Sequence, residues 1–256
     1  MARISPATLI LAAGASVLSA FAQTGVTLAY RYAAGSEVRY LVKAQSRIEG
    51  MTVTSERFVT QTVEAVVVDG TATIRVRDTG SRLAVGQIAR EFSVGSAISK
   101  KIQPNGCVIA YEPIPKPPDA LIASDTAALI AVGTSVVVPD HPVNVGETWQ
   151  TACPPLASGT QTPSLRTEFV GMEQLGDAVL AKVRQHATIP ATGAAAALNL
   201  DTTAWLDSRG LAVRIEQSAD AVPTAFGSMP WHVLWELKDP AKAVAGFPSS
   251  VAGGPR

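Results

Sequence analysis

Histidine, cysteine and aromatic side chains are all scarce in this chain: three histidines, two cysteines and 5% aromatics in 256 residues. That scarcity removes most of the general bases, nucleophiles and soft metal ligands on which catalysis draws. No nucleophile elbow, phosphate-binding glycine loop or zinc-protease helix motif is present. An excess of one charge is missing too, with 21 basic and 21 acidic residues, so no global field favours nucleic acid or an anionic membrane. Beyond the N-terminus no apolar run approaches the roughly 18 residues a membrane span needs. The nearest, Ala120 to Val138, is interrupted by Ser124, Asp125, Thr126, Gly133, Thr134 and Ser135, and reads as buried protein.

What is present begins with residues 1–22, which have the make-up of a secretory signal peptide. Arg3 is followed by an apolar run from Ile10 to Leu18, broken by Gly14 and Ser16, and then by the small-x-small site Ala20-Phe21-Ala22. Cleavage is expected between Ala22 and Gln23, and no nearby cysteine could carry a lipid anchor. The mature chain would hold about 234 residues with a formal charge of −1, since only Arg3 is lost. An exported protein without stable membrane insertion, periplasmic or extracellular, is the expectation. Such a compartment lets disulfides persist, and Cys107 and Cys153 are the only pair available.

Period-two alternation dominates the rest. Val38, Tyr40, Val42, Ala44 and Ile48 oppose Arg39, Lys43, Gln45 and Arg47. From Thr52 to Val68, the residues Val59, Val63, Ala65 and Val67 oppose Thr60, Thr62 and Glu64. Asp69-Gly70 reads as a hairpin turn, returning through Ala72, Ile74 and Val76. Strands are also expected at 98–103, 107–111, from about 147, and at 165–172, 178–189, 198–207, 211–219 and 231–238. In the 198–207 strand, Asn199, Asp201, Thr203 and Asp207 form the wet face.

The fold class that follows is all-β: an antiparallel meander forming an open barrel or two packed sheets. Its parts are a first meander (23–111), a Pro-rich connector (112–145), a second meander (146–240) and a disordered tail (241–256). One short helix is expected in the connector, starting at Asp119 or Ser124 and stopping before Gly133. The halves share a layout. Gly35 corresponds to Gly146, Val68-Asp69-Gly70 to Leu175-Gly176-Asp177, and Asn105-Gly106 to Arg209-Gly210, in the same order and at nearly constant offset. An internal duplication would explain this, although any two meanders share glycine-bounded hairpins.

Chemical candidates are few. Asp140, His141 and Glu147 could in principle meet on a metal, yet their spacing fits no metal-site pattern and Pro139 and Pro142 suggest a surface loop. His186 falls on the outer phase of a strand, and His232 lies between Trp231 and Trp235. No catalytic residue, metal ligand or cofactor-binding residue is assigned. Trp231, Val233, Trp235 and Leu237 share one strand face, which is either core packing or the wall of a groove for an apolar or aromatic ligand.

Short turn-centred motifs carry a family resemblance: Gly35, Val38 and Tyr40; the hairpin from Val68 to Ala72; Pro104-Asn105-Gly106; and above all the run from Val138 to Trp149. Together they resemble an uncharacterised group of exported bacterial β-rich proteins, in which such a run precedes a second set of strands. That group has no assigned catalytic residues, so the resemblance implies none here. At fold level the layout is similar to the open barrels of periplasmic lipoprotein carriers, an analogy of architecture alone. The expected function is a non-catalytic binding or envelope-associated module whose partner is an apolar small molecule or an envelope protein. A structural or interaction domain with a solid core is the alternative, and an exported hydrolase a further one.

Overall fold

The computed structural model describes residues 25–48, 50–92, 97–114, 131, 135–156, 163–191, 197–224 and 227–239. The expected signal peptide with its Ala22–Gln23 cleavage point, the connector helix and the C-terminal tail lie outside these, apart from Ala131. Twelve antiparallel strands form one sheet: β1 (Glu37–Ile48), β2 (Met51–Val66), β3 (Ala72–Val85), β4 (Ile88–Phe92), β5 (Ala97–Ile102), β6 (Val108–Ile114), β7 (Thr148–Thr151), β8 (Ser164–Leu175), β9 (Ala178–Ile189), β10 (Leu198–Leu206), β11 (Ala212–Thr224) and β12 (Gly227–Leu237). The order across the sheet is β6-β5-β3-β2-β1-β12-β11-β10-β9-β8-β7, with β4 paired only to β3. The first and last strands meet in the middle: the chain works outward from β1 to the edge at β6, then resumes at the opposite edge, β7, and works inward to β12. The sheet is continuous rather than two packed sheets, and it is not closed, because β6 and β7 remain its edges.

A twisted sheet of this width curls, and its concave face becomes the core. Tyr40 and Val42 of β1, Ile74 and Val76 of β3, Leu200 of β10 and Val233 of β12 belong to one buried cluster that joins both halves. The edges are clasped by the Cys107–Cys153 disulfide: Cys107 immediately precedes β6, Cys153 follows β7 by two residues, and their Cα atoms are 5.4 Å apart. Both cysteines are buried.

Two extended segments cross the concavity. Val26 pairs with Val143 as an isolated bridge, and Val136, Val137, Val138 and Val143 are all buried. The second segment is fixed by side chains from the sheet. Gln185 on β9 accepts from the Val137 N–H through Oε1 at 2.9 Å and donates through Nε2 to the Ser135 carbonyl at 2.9 Å. Trp149 donates to the Val137 carbonyl, and Tyr30 to that of Val136 at 2.7 Å. Backbone polar groups entering a concave interior need such partners.

The turns explain where the alternation holds and where it slips. Gly70, Gly106 and Gly210 each take positive φ and each donate to the carbonyl three residues back, closing the β2–β3, β5–β6 and β10–β11 hairpins. Asp69, Asn105 and Asp207 brace them by accepting backbone N–H bonds through their side chains. Asp207, read as part of a wet face, is therefore fully buried: its carboxylate accepts from the Arg209 and Leu211 N–H groups and the Arg209 guanidinium. Ala65 and Val67, read on the core phase with Val63, are exposed instead. A bulge between Val63 and Ala65 inserts one residue and inverts the phase, so that Val66 packs on the core. The extension of β3 to Val85 and its hairpin with β4, absent from the expected strands, turn at Gly86.

Two outcomes test this account. Replacing both cysteines by serine is expected to cost about 4 kcal/mol in denaturant unfolding, from the chain-entropy relation for a separation of 46 residues. Gly106→Ala should cost about 1–3 kcal/mol more than Gly35→Ala. Both glycines take positive φ, but a Cβ at 106 would lie 2.3 Å from the Val136 carbonyl oxygen, whereas at 35 nothing stands within 4 Å.

Candidate functional site: an interior cavity with one inward lysine

The concave interior is not filled completely. A cavity of about 560 Å³ lies between the first-half strands β1, β2, β3 and β5 and the second-half strands β10, β11 and β12. Its wall is largely apolar, with Val38, Tyr40, Val63, Ile74, Ile102, Val136, Leu206, Ile215 and Trp235 among the lining residues. Strand alternation places them there, since Tyr40, Val63, Ile74 and Ile215 all belong to the inward phase of their strands. Exposed residues of the segment before β1, including Arg31, Ala33 and Ser36, form part of the lining and mark the side that faces solvent. Tyr30 and Tyr32 stack beside them, ring centroids 5.7 Å apart and planes within 2°. Burial pushes the phenols of Tyr30, Tyr32 and Tyr40 well above the ordinary tyrosine value, so all three stay neutral hydroxyls.

Of the two tryptophans read as a candidate ligand wall, Trp235 lines this cavity and makes an edge-on contact with Tyr40, ring centroids 5.9 Å apart. Trp231 sits four residues away on the same face, beyond Val233, partly buried against the core cluster and outside the lining.

Sequence reasoning passed over Lys100. On β5, Ile98, Lys100 and Ile102 share one phase, and the register sets them opposite Val76, Ile74 and Ala72, which are buried core residues. The lysine therefore points where an apolar residue would be expected, and it lines the cavity. Desolvation pulls its ammonium down from the ordinary 10.5 to about 8. The alternation Ile-x-Lys-x-Ile was the available signal. Gln217, on the inward phase with Ile215 and Ala219, is a second polar residue of the lining. Its Oε1 and the Trp235 Nε1 are both buried without a hydrogen-bond partner.

The histidines all lie elsewhere. His141 is exposed, with Asp140 at 3.2 Å from Nδ1 and Glu147 at 3.1 Å from Nε2. The carboxylates thus take opposite edges of the ring instead of converging on one point, and they raise its affinity for a proton, Asp140 contributing most. Among the described residues no cluster of three or more His, Cys, Asp or Glu could hold a metal. His186 pairs with Asp201 at 2.8 Å on the outer face, and His232 is exposed opposite Gln45 and Ser218. No helix among the described residues is long and apolar enough to cross a membrane.

No family profile and no curated protein matches the chain. A solved structure from Bacteroides fragilis, described as a "putative exported protein with YmcC-like fold", shares 12% identity at a TM-score of 0.30, over 84% of this chain and 99% of its own. At that distance no residue role passes from one to the other.

The partly desolvated ammonium of the half-buried Lys100 sets a sign for the pH dependence of stability. Between about pH 8 and 10.5 the unfolded chain keeps a proton that the folded chain has released, so folding gains stability as pH rises through that window. Below about pH 8 both states are charged and the folded state carries the full cost of burial. Lys100→Met is therefore expected to melt higher than wild type at pH 7, with the difference shrinking between pH 8 and 10.5 in thermal unfolding followed by circular dichroism.

Proposed function

We propose that this chain is a non-catalytic, extracytoplasmic binding module that holds an apolar small molecule inside its curled sheet. The observation that carries the reading is the cavity of about 560 Å³ with a mainly apolar wall. Small-molecule sites commonly occupy about 300–1,000 Å³, are concave and mostly apolar, and hold a few placed polar groups. A solid-core structural domain would have filled that space, since interiors pack to the density of organic crystals. Export is supported by the signal-peptide pattern of residues 1–22 and by the Cys107–Cys153 disulfide, a bond that persists in oxidising compartments. The non-catalytic reading rests on the lining itself: among the described residues its one carboxylate is Glu37, whose Oε1 is engaged by Arg39, and no described histidine or cysteine joins it.

The test uses N-phenyl-1-naphthylamine, an uncharged probe that fluoresces on entering apolar surroundings. Wild-type protein is expected to bind it saturably with one site. Val38→Trp, which places an indole in the half-buried wall, should weaken that binding by about tenfold, roughly 1.4 kcal/mol, while the far-ultraviolet circular dichroism stays unchanged. Absence of saturable binding by the wild type, or an undiminished response in Val38→Trp, would overturn the proposal.

A further inference from the structure

We propose that the cavity takes a single-chain apolar acid, whose one negative group is held by Lys100 and whose chain lies along the apolar wall. The inference rests on the cavity reading above and adds the chemical class of the ligand. Lys100 projects from β5 between the inward Ile98 and Ile102, beside Ile74 of β3 on one side and Tyr111 of β6 on the other. The residue is half-buried there, its ammonium partly desolvated by a wall that offers it little in return, a cost that an arriving anion would offset.

Nothing described in the chain supplies that anion. Among the described residues no carboxylate lies within ion-pair distance of Lys100. The one carboxylate of the lining, Glu37, has its Oε1 bound by Arg39 at 3.1 and 3.2 Å. Of the other cations in the lining, Arg209 is tied to the buried Asp207 at 2.9 Å, and Arg31 is exposed. Among the described lining residues Lys100 is the one inward cation without a carboxylate partner, and one such cation matches one negative charge. A neutral apolar ligand would leave the lysine unpaired, and a dianion would bring a second charge with no second inward cation to meet it.

The rest of the lining suits the same ligand. The Trp235 ring lines the cavity as an apolar surface, and aliphatic side chains such as Val38, Val63, Ile74, Ile102 and Ile215 complete a wall along which an alkyl chain can lie. A bound carboxylate with an alkyl chain would give the lysine its counter-ion and fill space that the protein's own side chains leave open. The lysine then acts as an anchor that sets the orientation of the chain, in the way that a few polar groups fix orientation in an otherwise apolar site.

The experiment is displacement of N-phenyl-1-naphthylamine from the purified protein at pH 7 by dodecanoic acid and by 1-dodecanol, which differ only in the head group. Carboxylic acids ionise near pH 4–5, so the acid is an anion at this pH. Wild type is expected to prefer the acid by about tenfold or more. Lys100→Met should abolish that preference while keeping probe binding, and Lys100→Arg, which retains the charge, should keep the preference. Equal displacement by acid and alcohol in wild type, or a preference that survives in Lys100→Met, overturns the inference and leaves the apolar cavity standing. Failure of the wild type to bind the probe at all overturns the cavity reading, and this inference with it.

Discussion

The clasp between the two edges of the sheet is the constraint on which the rest depends. The strand path across the sheet ends at β6 and β7, with β4 branching from β3, and both ends of that path carry a cysteine close by: Cys107 before β6 and Cys153 after β7. Joining them turns a wide, twisted ribbon into a shell with an inside. The junction adds to the sheet's own curl and to the shared apolar cluster in holding the inward residues of β3 and β5 against those of β10 and β11, strands that lie far apart along the sheet. An exposed edge also invites pairing with other chains, and drawing the two edges together limits that exposure.

What the shell encloses is divided between a packed region and an open one. The segment around Val136, Val137 and Val138 crosses the concavity and is held by Gln185, Trp149 and Tyr30, which satisfy its backbone groups one by one. Tyr30 also reaches the two turn glycines whose missing side chains make room for the crossing segments: a Cβ at Gly106 would lie 2.8 Å from its ring, and one at Gly210 3.0 Å from its Cα. Beyond that crossing the interior stays open; among the described residues its lining includes Lys100, with no carboxylate at ion-pair distance, and the Gln217 Oε1 and Trp235 Nε1, buried without hydrogen-bond partners. Polar groups so placed are costly to a stable core, and in a cavity of ligand size they are what a site needs.

Most of the strands were legible because a half-buried sheet writes its alternation directly into the sequence, as in Val38, Tyr40 and Val42 against Arg39 and Lys43. The turns were legible for a related reason: glycine at positive φ in a hairpin has few substitutes. Alternation failed at particular residues. Val67 lost its phase because a bulge nearby adds one residue, and a bulge leaves no mark in the pattern of apolar residues. Asp207 looked like a wet-face carboxylate because nothing in its neighbourhood shows that its acceptors are used by the turn that follows. Trp205, on the outer phase, is buried all the same, flanked by Lys182 at 5.0 Å and Arg214 at 5.5 Å from its ring.

The sequence by itself determined the secondary structure class, the meander order and the identity of the only two cysteines that could pair. These follow from local periods of two and from turn chemistry, which act over a few residues. Only the tertiary structure decided that the first and last strands are neighbours, that the edges meet, and that Lys100 shares a cavity with Trp235 from the far end of the chain. Those facts depend on how far the whole sheet curls, a property summed over twelve strands and fixed by no short stretch of residues. The candidate site is built from both halves, so it exists only once that curl is complete.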